Sequence, residues 1–168
     1  MWAGFSSSPN AIDLETGQIA EPIKMTKTTP KTSQPVLTVL VSRPGIMQQS
    51  LRSSLAACRG IAVIGSSGDG LTALSQVAKL RPGLLVIDSN LLEEEVEALI
   101  AAVKAEQPTI GCLVIVRSSH QQAQMLASGA DVVVLRDISP QQLQAELARL
   151  ARRREILQPE QRLCDEQP

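Results

Sequence analysis

Asp88 is the residue best placed for chemistry, a carboxylate that directly follows the apolar run Leu84-Leu85-Val86-Ile87 and precedes Ser89-Asn90. An acid at the end of such a run stands at the mouth of a parallel sheet, where loops carry the chemistry of α/β proteins. Other candidate groups are less well supported. Gly65-Ser66-Ser67-Gly68-Asp69-Gly70 follows an apolar run and opens a helical pattern, which invites comparison with a phosphate-binding loop. Leu71 stands where that loop needs lysine, and the GxGxxG spacing of dinucleotide sites is absent. The stretch reads instead as a tight loop that tolerates left-handed backbone. Ser119 and His120 are sequence neighbours without a Cys, an acid or a second His at ligand or triad spacing, so His120 is expected to be an exposed loop residue. Cys58, Cys112 and Cys164 are widely separated and form no CxxC pair. No metal site and no disulfide framework is expected, and Cys58 and Cys112 read as core residues.

The elements that must position Asp88 are legible as five continuous apolar runs at 36–41, 61–64, 84–87, 110–116 and 132–135. Unbroken Val, Leu and Ile runs fit strands buried on both faces. Helical spacing fills the gaps. A helix at about 45–58 turns Met47, Leu51, Leu55 and Cys58 inward and stops at Gly60; one at 70–80 turns Leu74, Val77 and Ala78 inward and ends at Arg81-Pro82-Gly83. A third, at about 91–106, buries Leu92, Val96, Leu99, Ile100 and Val103, with Glu93, Glu94, Glu95 and Glu97 near its positive end. A short fourth, at about 120–127, closes on Gly129. The last opens on Ser139 as N-cap, Pro140 at the first helical position and Gln142 completing a capping box, with Leu143, Leu147, Leu150 and Leu157 along one stripe. Five β–α units predict a doubly wound α/β fold with a five-stranded parallel sheet of order 2-1-3-4-5. The carboxyl edge of that sheet would gather Ser42 and Arg43, residues 65–70, residues 88–90, residues 117–119, and Arg136 with Asp137.

The chain has 168 residues, 43% of them apolar, which suits one domain with some tail. Residues 1–34 are rich in Ser, Thr, Pro and Lys without a sustained period and read as a flexible tail, as do 158–168; the domain is placed at 35–157. The only rings, Trp2 and Phe5, fall in the first tail. The domain therefore has no aromatic platform for single-stranded nucleic acid or cage for a cation. A formal net charge of -1 lacks the basic excess that phosphate backbones attract, so nucleic acid is not an expected partner. No apolar run reaches the ~18 residues of a spanning helix and no secretory leader is evident, so a cytoplasmic protein is expected.

Several segments resemble the receiver domains of two-component response regulators. LRPGLLVIDSNL is similar to the segment ending in the phosphoacceptor Asp, while IGSSGDGLTAL, ASGAD and LRDISPQQL resemble those after the second strand, before the fifth and into the last helix. The resemblance covers about 36–151 and implies a flavodoxin-like receiver fold. It places Asp88 on the phosphoacceptor and Ser118 on the hydroxyl residue that contacts the phosphoryl group. It also exposes departures. Receivers hold Mg²⁺ with an acidic pair after the first strand, where this chain has Ser42-Arg43, and no Asp or Glu occurs between Glu21 and Asp69. The family's lysine after the fifth strand is Arg136, no lysine lies beyond Lys104, and the switch aromatic falls on Val133.

These departures imply a degenerate receiver, or pseudo-receiver, without Mg²⁺ and without enzyme activity. Arg43 or Arg136 would pair with Asp88 in place of the metal. The implied role is that of a stand-alone regulator acting through a protein partner, a histidine kinase or another regulator, with a homodimer also open. The alternative is a genuine phosphorelay receiver phosphorylated on Asp88. Partner contacts could use Trp2 and Phe5, since rings anchor interfaces, although an ordinary frayed terminus is the commoner meaning of such residues. They could also use Arg149, Arg152, Arg153 and Arg154 beside the leucine stripe, although such cations also simply favour a helix C-terminus.

Overall fold

The computed structural model describes residues 34–157. Strands and helices alternate as β1 (Val36–Val41), α1 (Ile46–Ala56), β2 (Ile61–Ser67), α2 (Gly70–Leu80), β3 (Leu84–Asp88), α3 (Glu93–Glu106), β4 (Gly111–Val116), α4 (Ser119–Ala127), β5 (Val132–Leu135) and α5 (Pro140–Leu157). All neighbouring strands pair in parallel, in the order β2-β1-β3-β4-β5. This is the expected doubly wound, flavodoxin-like architecture. Trp2, Phe5 and Cys164 lie outside the described residues, as does the Leu157 side chain.

Two apolar layers sandwich the sheet. Val39, Val41, Leu85, Ile87, Cys112 and Val114 pack with Val77 of α2, Ile100 of α3 and Met125 of α4. On the other face, Leu40, Leu84, Val86 and Leu113 pack with Leu55 of α1 and Leu143, Leu147 and Leu150 of α5. Alternate residues of each run supply opposite faces, so the runs are continuous because both faces are covered. β3, fully buried at the centre, carries Asp88 as its last residue.

Local chemistry sets most helix ends. Asp69 accepts from the Thr72 amide at 2.8 Å and starts α2, and these hydrogen bonds hold its carboxyl below the usual range. The Ser139 and Gln142 side chains form the reciprocal capping box, with Gln142 N to Ser139 Oγ at 3.2 Å and Ser139 N to Gln142 Oε1 at 3.3 Å. Gly60 (φ 82°) and Gly129 (φ 104°) follow α1 and α4 in the left-handed region that glycine tolerates.

Four expectations need correction. Gly65, Ser66 and Ser67 are not a loop: β2 continues through Ser67, and Gly65, Gly68 and Gly70 have no positive φ. β1 runs on to Val41 and keeps pairing with β2, with a bulge where Thr38 faces Val63 and Val39 faces Gly65. Glycine at 65 serves close packing instead, because a Cβ there would lie 2.7 Å from Gln76 Oε1 of α2. Second, Leu92 is 62% exposed and precedes α3 as its N-cap. Third, Ala78 faces solvent, and Ala73 takes the buried position next to Val77. Fourth, His120 is exposed as expected but sits inside α4 rather than in a loop.

α2 ends on Arg81 at φ 44° and ψ 56°, the only non-glycine residue with positive φ among the described residues. A side chain in that region costs about 1 kcal/mol. Arg81→Gly is therefore expected to raise stability by about 0.5–1 kcal/mol, after allowing for the looser unfolded chain. Urea unfolding of the two proteins measures the difference, and an unchanged or lower midpoint would contradict the strain assignment.

Candidate functional site

The site forms where the centre of the sheet ends. Asp88 is 0% exposed, and its carboxylate is held by residues from two other strand ends. Ser42, just beyond β1, donates from Oγ to Asp88 Oδ2 at 3.1 Å. Arg136, just beyond β5, donates from Nη2 to Oδ1 at 3.1 Å and to Oδ2 at 3.3 Å. The Arg136 amide continues the ladder by donating to Val116 O at 2.8 Å, so the side chain starts from a fixed point and reaches past the end of β4 to β3. A carboxylate removed from water needs such compensation, because an isolated buried charge is strongly disfavoured. The Arg136 side chain keeps 31% of its surface exposed, so the guanidinium closes the top of the pair while its outer side stays wet.

Of the two arginines that could pair with Asp88, Arg43 does not. It is exposed and forms no ion pair among the described residues. The reason is alternation: Ser42 points to the carboxylate, so the next residue turns away. Ser42 is also held from its backbone, where Gln48 of α1 donates to Ser42 O at 2.8 Å.

Ser118 plays a local part, capping α4 by accepting from the Gln121 amide at 3.4 Å. With Arg117, Ser119, Leu135, Arg136 and Asp137 it lines a depression of about 780 Å³ beside the Asp88–Arg136 pair. A polar seam missing from the sequence reading fixes this rim. Arg117 Nη2 donates to Asn90 Oδ1 at 2.9 Å, Gln121 of α4 donates to Glu93 of α3, and Gln124 Nε2 donates to Glu97 Oε1 at 2.5 Å. The available signal was spacing: Glu93 and Glu97 lie four apart and Gln121 and Gln124 three apart, so each pair shares a helix face.

The arginines of α5 divide, since Arg149, Arg152 and Arg153, at i, i+3 and i+4, share an exposed face and Arg154 does not. Arg149 pairs with Glu146 at 2.8 Å, and Arg152 and Arg153 are exposed. Arg154 instead folds onto the opposite edge of the sheet, where a Cβ on Gly83 would collide with its guanidinium, and burial lowers its pKa. Neither described cysteine is a nucleophile candidate. Burial pushes the Cys112 thiol up to about 12, and burial raises Cys58 as well.

The sheet order and the acid at the centre of its carboxyl edge define the receiver fold, and solved structures agree. The receiver domain of RcsB from Salmonella enterica serovar Typhimurium, solved with a phosphomimetic, has TM-score 0.63 and 19% identity over 71% of this chain and 90% of its own. A two-component response regulator of the LuxR family from Aurantimonas sp. SI85-9A1 has TM-score 0.63 and 21% identity, covering 70% and 86%. A CheY-like receiver domain protein from Methanospirillum hungatei JF-1 has TM-score 0.64 and 16% identity, covering 73% and 98%. No family model and no curated protein sequence matches the chain.

The Mg²⁺ that the receiver resemblance implies does not fit this donor set. Magnesium needs carboxylate or other oxygen ligands in near-octahedral array. Here Asp88 is the single acid at the strand ends β1 and β3, both its oxygens accept hydrogen bonds, and a guanidinium occupies the adjoining space. Among the described residues, no group of three His, Cys, Asp or Glu side chains is arranged to hold a metal.

The pair makes a stability prediction. Arg136→Ala leaves a fully buried carboxylate with only the Ser42 hydroxyl, and is expected to cost about 3 kcal/mol at neutral pH. Asp88→Asn in the same background removes the orphaned charge and should recover at least about 1 kcal/mol. Denaturant titrations of the two single variants and the double variant measure the coupling. Additive losses would show that the pair does not carry this energy.

Proposed function

We propose that the chain is a receiver-like regulatory protein of the two-component signalling type, cytoplasmic, working by protein–protein contact and without Mg²⁺-dependent phosphorylation. A histidine kinase or another regulator is the class of partner. The observation carrying this reading is the enclosure of Asp88, which is fully buried with both oxygens engaged by Ser42 and Arg136. Transfer of a phosphoryl group to a carboxylate requires an oxygen free to attack, a cation to draw charge from the phosphoryl oxygens, and in-line approach of the donor. The arginine supplies positive charge but spends it on the carboxylate itself. The proposed activity is therefore recognition rather than catalysis.

Incubation with a small-molecule phosphodonor and Mg²⁺, followed by intact-mass measurement, tests the reading. No adduct of about 80 Da (one phosphoryl group) is expected. A labile adduct on the wild type that disappears in Asp88→Ala would establish the alternative, a phosphorelay receiver using Asp88. Mg²⁺ itself should leave the melting temperature unchanged up to about 10 mM, since only a ligand that binds the native state stabilises it. A rise that grows with Mg²⁺ and is lost in Asp88→Asn would show that the carboxylate still takes the metal.

A further inference from the structure

We propose that the end of the sheet opposite Asp88 is a docking face for an anionic lipid surface. The inference is independent of whether Asp88 is ever phosphorylated. A formal net charge of -1 conceals a separation of charge along the strands. At the carboxyl edge the exposed acids Asp69, Glu93, Glu94 and Asp137 stand with Arg43, Arg117 and Arg136. At the amino edge Arg59 leads into β2, Lys79 and Arg81 close α2 ahead of β3, and Arg152 and Arg153 stand in the last turns of α5. All of these amino-edge cations are exposed, and none forms an ion pair among the described residues. The acids at this end are Glu106, Asp131 and Glu155, and Lys104 neutralises Asp131 at 2.6 Å.

Backbone contacts bring these cations to one place. Val36 N donates to Gly60 O at 2.8 Å, which sets the Arg59 turn beside the start of β1, and Gly83 N donates to Leu37 O at 2.7 Å, which brings in the Arg81 turn. α5 reaches the same end. Leu150 lies level with the first residue of β4, since a Cβ on Gly111 would be 4.0 Å from Leu150 Cβ, and the Arg154 guanidinium covers Gly83 next to Val36. Arg152 and Arg153 therefore lie past the strand starts. Aliphatic surface adjoins the cations: Leu37, the second residue of β1, is 42% exposed, and Leu80, between Lys79 and Arg81, is 41% exposed.

Charge and shape select a bilayer as the occupant. Cations are drawn to the negative surface potential of an anionic leaflet, and aliphatic side chains among them enter the boundary between headgroups and acyl chains. The cations here come from three separate chain segments, and the cleft between Arg81, Glu106 and Gln107 is about 20 Å³, room for about one water. A docked helix or peptide needs a groove, whereas a planar surface does not. A nucleic acid backbone would satisfy the cations but leave Leu37 and Leu80 unused, and the domain has no ring to stack on a base. Helix C-termini attract cations in any case. Arg81 exceeds that need, because it holds φ 44° at a position where glycine would be unstrained.

Flotation of the full chain with vesicles of phosphatidylcholine, alone or with about 30% phosphatidylserine, tests the proposal. Binding is expected to the anionic vesicles and not to the neutral ones, and it should fall as salt rises from about 0.05 to 0.3 M. Arg59→Gln and the double variant Arg152→Gln/Arg153→Gln should weaken binding about fivefold for each cation removed. Arg81→Gly should also lose about fivefold while gaining stability, which separates a lost contact from a lost fold. Leu80→Gln should weaken binding about threefold. Arg43→Glu, a larger change of charge at the other end of the strands, should stay within about twofold of the wild type. A wild type that binds neither vesicle or both alike, amino-edge variants that bind as the wild type does, or an Arg43→Glu loss as large as that of the double variant would overturn the proposal. Tighter binding to a DNA duplex than to anionic vesicles at the same salt would overturn it in favour of nucleic acid.

Discussion

The carboxyl edge of the sheet is organised around one constraint: a carboxylate withdrawn completely from water at the end of the central strand. Asp88 lies between β1 and β4, so its partners must come from the strand ends beside it or reach over them. Ser42 supplies a neutral hydroxyl from one side, and Arg136 supplies the charge from beyond β4 on the other. The pairing of the Arg136 amide with Val116 O makes the long reach possible, because it fixes where the side chain begins. The pair thereby ties β3 to the β5–α5 connection, and the depression next to it shares Arg136 as a wall.

The seam between α3 and α4 extends this fixation outward. Glutamates at positions 93 and 97 accept from glutamines on α4, and Asn90 accepts from Arg117 at the same rim. Each is an exposed or half-exposed polar contact worth little alone, about 0.2–1 kcal/mol. Their common effect is on geometry, since α4 is held in one register against α3 while Gln122 ties it to the edge strand. A short helix of nine residues with one fully buried side chain, Met125, depends on such ties more than a long amphipathic helix would.

The sheet was legible in the sequence because burial on both faces leaves a signal that needs no neighbours to interpret, an unbroken run of aliphatic residues at the spacing of β–α units. The position of Asp88 followed from the end of its run. Which arginine reaches it was not legible from residue types, and Arg43, nearer along the chain to a site residue, looked equally suited. Period-two alternation was the available discriminator: once Ser42 faces the carboxylate, Arg43 cannot. In sequence β2 reads short because Gly65-Ser66-Ser67 has low strand propensity, and what overrides that propensity is the continued partnership with β1. The arginines of α5 misled for a related reason. Composition groups Arg149, Arg152, Arg153 and Arg154, but helical rotation keeps only the first three on one exposed face, and the absent side chain at Gly83 gives Arg154 a seat on the sheet.

A covalently attached cation differs from a bound metal in one respect that shapes the proposed function. A metal ion equilibrates with solvent, so the charge at its site can change with its concentration or with the arrival of a phosphoryl group. Arg136 is part of the chain and donates to both Asp88 oxygens, so the cation beside the carboxylate does not come and go with the composition of the solvent. Losing that cation would expose the cost of an uncompensated buried carboxylate, which is comparable to a large part of a domain's whole stability. In the proposed reading, therefore, the carboxyl edge is not where a signal is received. Any change of state must enter through the surface instead, by occupation of an interface, and the energy that the switch would have used goes into holding one conformation for a partner to recognise.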